Sequence, residues 1–366
     1  MAKRYQRTHA QIVESYGILK GMKKPQVVVF FGGSKSNHDL SKETGYEAAH
    51  YIPRSKYDVT PVRVTEDHHW QVPLGTLPQQ GSVKRVMDMF STAVPAVTPQ
   101  QGLERLFHRP VAAFMTLLRG KGGDDGAIQQ LGHTVHVPVI GSNAKTSYLT
   151  SDKHLLSHAV DSIVHTPYSR LFKHTLPTDT ITDQAQHDFT GPFFLKPAQE
   201  EGSVGVEKLH SIDELRTSLE QRRYAGDLVL QEHADGVEVS ITFVEDERGN
   251  VQVLPPTLIL PKQAAFYDHL AKRRQGRVDI KTTEWDSSPI IMEAVTIARD
   301  IYDELNCRGW ATIDMILGEK GPELLEVNTI PTLSEYTPFK HQLAAAGLHP
   351  STLLDRLLTR SLEQGI

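Results

Sequence analysis

The run Pro25 to Gly33, PQVVVFFGG, is apolar at consecutive rather than alternate positions and stops at two glycines. A strand with one face in water alternates, so this run predicts a strand buried on both faces, as in a parallel sheet covered by helices. SKETGYEAAHYI supplies the helix that should follow, KYDVTPVRV the next strand, and HRPVAAFMTLL another ahead of the glycine loop RGKGGDDG. Strands and helices alternating in this way indicate an α/β layer with a mostly parallel sheet. GxGxxG-like glycines alone are a weak pointer to a dinucleotide fold.

The pattern then changes. TSDKHLLSHAVDSIV reads as a helix that Ser151 can cap. From Thr190 short strands and turns take over, with GPFFLKPA, EEGSVGVEKL, a helix at SIDELRTSLEQRR, then DLVLQEH and GVEVSITFV. Such a small α+β unit suits a lobe that covers a nucleotide. A long helix, PIIMEAVTIARDIYDEL, a hairpin and an amphipathic STLLDRLLTRSLE close the chain. At 366 residues the chain exceeds one ordinary core. The expected division is an N-terminal extension (1–24), an α/β domain (25–147), a central lobe (148–235) and a C-terminal lobe (236–366).

A net charge of −5 gives no basic field for nucleic acid. The single cysteine, Cys307 in NCRGW, excludes a disulfide framework, fits a reducing compartment and reads as a buried structural thiol. No apolar run approaches the roughly 20 residues that span a bilayer, and the N-terminus lacks the apolar core of a signal peptide. A cytoplasmic protein without a membrane partner is expected. His68, His69, His133 and His136 have no cysteine or carboxylate at ligand spacing and read as surface or hydrogen-bonded side chains.

Chemistry concentrates near PELLEVNTIP. Glu326 and Asn328 are two apart on an apolar run, so on a strand they share a face. A turn at GEKG would fold WATIDMIL back on PELLEV and leave Asp314 roughly opposite Glu326. Two carboxylates and an amide oxygen at one spot suit Mg2+; a solvated strand end is the plain alternative. Upstream, Lys196 in FFLKP stands before the loop QEEGSVG, where Gly202 and Gly205 would let backbone N–H groups approach phosphate. An ordinary hairpin with a surface lysine fits the same residues, and Lys153 and Lys272 look ordinary taken singly. Glu232 and Glu238 interrupt apolar strands, where carboxylates could accept from a ribose hydroxyl and an adenine amino group, or could simply be strand-end glutamates.

VVVFFGGSKSNHDLS, GKGGDDGAIQ with VPVIGS, TSDK, FFLKPAQEEGSVGV, QEHADGVEVS, AAFYDHLAK, and RGWATID with LLEVNTIP occur in an order and spacing that resemble the D-alanine:D-alanine ligase family of the ATP-grasp superfamily. The resemblance runs from Gln26 to Gln364. It implies an ATP-grasp fold behind an N-terminal parallel-sheet domain, an ATP-dependent ligase acting through an acyl phosphate, amino-acid substrates, and a homodimer. D-alanine and peptidoglycan precursor synthesis are the family's default. By position, Lys153 and Lys196 would contact the nucleotide phosphates and Lys272 the γ-phosphate, with Gly202 and Ser203 in the phosphate loop. Glu232 and Glu238 would hold adenine and ribose beside backbone groups of His233 and Ala234. Asp314 and Glu326 would hold one Mg2+, and Glu326 and Asn328 a second, with Mn2+ as an alternative ion.

The amino-acid half departs from the family pattern. Asn37 stands where a glutamate usually anchors the first substrate's ammonium, Gly202 where the loop serine belongs although Ser203 adjoins it, and Arg273 in place of a tyrosine. Arg119 replaces a histidine, Thr312 the arginine that stabilises the tetrahedral intermediate, and Thr332 a glycine whose N–H completes that site. Loss of one oxyanion donor costs about 10²–10³ in turnover, so Arg119 and Arg273 are candidates to supply the cation. These changes make a divergent amino-acid ligase, one taking a substrate with an additional carboxylate, a direct rival to the default. A catalytically silent nucleotide-binding protein is the alternative from another class.

Overall fold

The computed structural model describes residues 24–34, 37–77, 83–90, 94–120, 122–198, 205–221, 226–262, 278–335 and 337–364. The first layer comprises β1 (Gln26–Gly32), α1 (His38–Tyr51), β2 (Asp58–Val64), β3 (Trp70–Gln71), α2 (Val83–Asp88), β4 (Ala96–Val97), α3 (Pro99–Leu106), β5 (Val111–Thr116) and α4 (Ala127–Val135). Its sheet runs β4-β3-β2-β1-β5. β1 is parallel to both β2 and β5, whereas β3 and β4 add an antiparallel margin. Every residue of β1 is buried, as a central strand covered on both faces requires. α1 lies close on this sheet because Gly45 has no side chain: a Cβ there would come within 2.3 Å of the Phe31 ring.

The helix expected from Ser151 is α6 (Lys153–Ala159), which ends short of Val164, and a separate helix, α5 (Ala144–Ser151), runs up to it. The cap is Asp152. Its extended backbone interrupts the helix and its carboxylate accepts from the N–H groups of His154 and Leu155. Ser151 ends α5 and turns its hydroxyl back to the Tyr148 carbonyl.

A lobe of β6 (Ser169–Phe172), α7 (Thr178–Asp188), β7 (Phe193–Pro197), β8 (Glu207–Leu209), α8 (Ile212–Glu220) and β9 (Leu228–Glu232) follows. Its antiparallel sheet, in the order β6-β9-β7-β8, packs Phe193, Leu195 and Leu230 against Ile181 and Ala185 of α7 and Leu215 of α8. Ser211 caps α8.

The last segment holds β10 (Val237–Glu245), β11 (Val251–Val253), β12 (Thr257–Pro261), β13 (Val278–Thr282), α9 (Pro289–Glu304), β14 (Trp310–Gly318), β15 (Gly321–Asn328), α10 (Pro338–Ala345) and α11 (Pro350–Gln364). An antiparallel sheet runs β13-β12-β10-β14-β15, with β11 paired to β10. Val239, Ile241, Ile313, Met315 and Val327 pack with Ala294, Ala298 and Ile301 of α9. α10 and α11 return to the first layer: Phe339, Leu343, Leu353 and Leu357 share a core with Val27, Phe31, Ile52 and Met115. Among the described residues no helix is long and apolar enough to cross a membrane.

Candidate active site

Strand alternation sorts the β10–β14–β15 sheet into an apolar face on α9 and a polar face opposite it. Register sets the polar face in rows, Ser240 beside Asp314 beside Glu326, and Thr242 beside Thr312 beside Asn328. The turn over GEKG and the placement of Asp314 opposite Glu326 follow the sequence expectation, with a bulge between Asp314 and Met315. The Ser240 hydroxyl donates to Asp314 Oδ1 at 2.6 Å, and Asn328 Nδ2 donates to Glu326 Oε1 at 3.3 Å. Asp314 is buried and orientationally fixed. Among the described residues no three His, Cys, Asp or Glu side chains cluster as a metal cage. Two carboxylates on adjacent strands do fit one hard cation whose remaining positions are filled by water and phosphate oxygens, the usual arrangement for Mg2+.

The second row has another use. Thr242 Oγ1 donates to Gln342 Oε1 at 2.5 Å and lies 2.8 Å from Thr312 Oγ1. Its one proton is committed to Gln342, so Thr312 must be the donor of that pair. Gln342, fully buried on α10, also donates to the Ser240 carbonyl at 2.7 Å. Thr312 thus belongs to a closed neutral network and brings no charge to the site.

A cation arrives from the first layer. Arg119, in the loop after β5, donates through Nη1 to Asn328 Oδ1 at 3.0 Å and through Nη2 to Thr332 Oγ1. Its backbone is held by a bridge to Gly33 and by the Ser34 hydroxyl on its carbonyl at 3.0 Å. Asn37, which is buried, lines the same pocket with Arg119, Thr312, Asp314, Glu326 and Thr332.

The nucleotide-side candidates lie on the lobe and on the elements that flank it, α6 and β10. Phe194 and Lys196 point away from its core, opposite Phe193 and Leu195. Lys196 Nζ donates to Gln231 Oε1 and lies 5.3 Å from the Phe194 ring centre, with Lys208 Nζ at 6.0 Å from the same ring. The Lys153 N–H reaches the Ala198 carbonyl at 3.4 Å, which brings the start of α6 beside the end of β7. Glu232 ends β9, exposed, and its N–H donates to the Tyr168 carbonyl. The His233 ring lies 5.5 Å from Phe194, with Nδ1 2.8 Å from the Ala234 carbonyl oxygen. Glu238 stands two residues before Ser240 on β10, between Ile259 and Ile316. Gly202, Ser203, Lys272 and Arg273 lie outside the described residues.

Ser240, Gln342, Gln231 and Lys208 escaped the sequence reading. For Ser240 a signal existed, since Glu238, Ser240 and Thr242 alternate with Val239 and Ile241. Cys307 is fully buried and burial pushes its thiol up to about 12, as a structural cysteine requires.

The family pattern for the D-ala D-ala ligase N-terminus matches residues 26–142, and that for the D-ala D-ala ligase C-terminus matches residues 158–359. A D-alanine--D-alanine ligase of Clostridium acetobutylicum is 26% identical over 342 residues, covering 92% of this chain and 97% of its own. The vancomycin/teicoplanin A-type resistance protein VanA of Enterococcus faecium is 28% identical over 93% of this chain and 100% of its own. The VanG D-Ala:D-Ser ligase structure from Enterococcus faecalis superimposes with a TM-score of 0.73 at 20% identity, covering 93% of this chain and 100% of that one. The Bacillus anthracis D-alanine--D-alanine ligase complexed with ATP gives 0.68 at 22% identity, over 93% and 98%. These likenesses show an ATP-grasp fold, and with both halves of the family pattern in place the chain belongs to the D-ala D-ala ligase family, ATP-dependent ligases.

Proposed function

We propose that this ligase joins two amino acids, D-alanine first among them, into a dipeptide at the polar face of β10, β14 and β15. The supporting observation is the meeting there of Asp314, Glu326 and Asn328 with the Arg119 guanidinium. In the first step a carboxylate oxygen of one amino acid attacks the γ-phosphorus of ATP, and the bond to the leaving ADP breaks. In the second the amine of the other amino acid attacks the carbonyl carbon of the acyl phosphate. The C–O bond to phosphate breaks, and the nitrogen gives up its proton.

Such transfers ask the protein for positioning and charge neutralisation. Lys153 and Lys196 hold phosphate oxygens. Glu232, Glu238 and the backbone at His233 and Ala234 hold the nucleoside. Asp314 and Glu326 seat Mg2+, which when bound would neutralise phosphate charge. Arg119 turns its guanidinium toward the charge that builds on the acyl oxygen, in place of the arginine that Thr312 replaces, and the Thr332 N–H adds a donor. On the family pattern Gly202 and Ser203 cradle phosphate, Lys272 meets the γ-phosphate, and Arg273 faces the amino acids. The same likeness supports a homodimer, to be tested by light scattering.

Asn37 favours a second substrate reading. A neutral amide there removes the counter-charge for an ammonium, while Arg119 adds positive charge at the pocket, so a substrate with an additional carboxylate suits it. ADP release should be measured with ATP and Mg2+ across D- and L-amino acids, dicarboxylic ones included, singly and in pairs. Stimulation by D-alanine alone supports the first reading, and stimulation by a dicarboxylic pair supports the second. Silence across the panel would overturn both. Glu326→Ala should abolish ADP formation with an unchanged far-UV spectrum, and full turnover by that variant would remove Glu326 from the site.

A further inference from the structure

We infer that the Arg119 guanidinium occupies the seat of the second divalent cation, so that this ligase works with one metal ion where the family pattern implies two. The inference rests on the ATP-dependent reading above and concerns the same site.

A metal between Glu326 and Asn328 needs Asn328 Oδ1, because the amide nitrogen is a donor and cannot ligate. That oxygen accepts from Arg119 Nη1 at 3.0 Å. The amide cannot turn round, since its NH2 would then face a guanidinium that has only donors. Its present orientation also points Nδ2 at Glu326 Oε1, 3.3 Å away, so one contact with Arg119 fixes both ends of the amide. The residues of the second seat therefore do not fit a metal ion in this arrangement.

The cation has a second side-chain anchor. Its Nη2 is on Thr332, and its backbone is bridged to Gly33 and accepts from the Ser34 hydroxyl. A guanidinium does not deprotonate in proteins, so a dication at the ~2.1 Å from Asn328 Oδ1 that Mg2+ requires would sit against a permanent positive charge. The first seat is different, because Asp314 and Glu326 are register partners and Ser240 orients Asp314 without competing for charge. One arginine thereby supplies the charge that the neutral Thr312 lacks and engages the amide oxygen that a second metal would need.

The test counts metal. The full chain is titrated with Mn2+ in the presence of the non-hydrolysable analogue adenylyl imidodiphosphate, and bound ions are read by electron paramagnetic resonance. The wild type should hold one Mn2+ per nucleotide with the spectrum of an isolated ion. Arg119→Ala should hold two, with the coupled spectrum of ions about 4 Å apart. Two coupled ions in the wild type would overturn the inference, and so would an Arg119→Ala protein of unchanged far-UV spectrum that still holds one. If that variant does not fold, Arg119→Met replaces it, and the wild-type count decides in any case. Failure of the wild type to bind the manganese nucleotide at all would sink the ligase reading itself, a result distinct from a count of two.

Discussion

In the proposed Mg2+ site, Ser240 is the hydroxyl that orients a carboxylate. It is buried and its hydroxyl donates to the carboxylate of Asp314, so its contribution is to orientation more than to binding. Groups that orient a metal ligand typically carry 10–100-fold in affinity. Ser240→Ala should therefore raise the Mg2+ concentration for half-maximal ADP formation by roughly 10–100-fold, while costing about 1 kcal/mol of stability for the lost hydrogen bond. An unchanged Mg2+ dependence in a folded variant would remove Ser240 from the site. The two carboxylates were legible in the sequence because a tight turn relates them, and local spacing then dictates the register. Ser240 and Arg119 reach their partners across 74 and 209 residues, and no local pattern encodes contacts at that separation.

At the scale of elements, Asp227 fastens the entrance of β9 to the exit of β6. It accepts from Lys173 Nζ at 2.7 Å and from the His174 N–H at 3.0 Å, and the Lys173 bond is the largest cause holding its carboxyl well below the usual carboxylate range. A depressed folded value stabilises the fold above the unfolded value of ~3.9 and loses that contribution as pH falls through the folded value. Lys173 is largely exposed, so solvent screening keeps the effect small. Asp227→Asn should lower the urea midpoint of the lobe at pH 7, with the gap to wild type narrowing as pH drops from about 5 toward 2. A gap that stays constant over that range would mean the charge is not its source. Strand and helix positions here were readable from alternation and from Ser211. The break at Asp152 was not, because TSDK offers two good caps in succession and only the backbone bend chooses between them.

The whole molecule has a division that its sheets alone do not suggest. Two sheets, one at each end of the chain, are joined through α10 and α11, whose Phe339, Leu343, Leu353 and Leu357 complete the core of the first layer. Lys56 and Tyr57 on Asp355 and Ser334 on Glu43 add polar links across the same boundary. The amphipathic STLLDRLLTRSLE announced a buried face but not its partner, which lies some 300 residues upstream: Tyr57 and Asp355 are 298 apart. The lobe from β6 to β9 keeps a separate and smaller core, and small cores are marginal. In urea it should unfold first, as one step, with both ends of the chain unfolding together in a second. All three tryptophans, Trp70, Trp285 and Trp310, lie outside the lobe, and Trp70 and Trp310 are buried. Far-UV circular dichroism should therefore lose part of its signal at lower urea than tryptophan fluorescence, and Asp227→Asn should move only that first part. Coincident curves from both probes would instead mean that the lobe's core depends on the rest of the chain, and the same coincidence in Asp227→Asn would extend the local fastening at β9 to the stability of the entire fold.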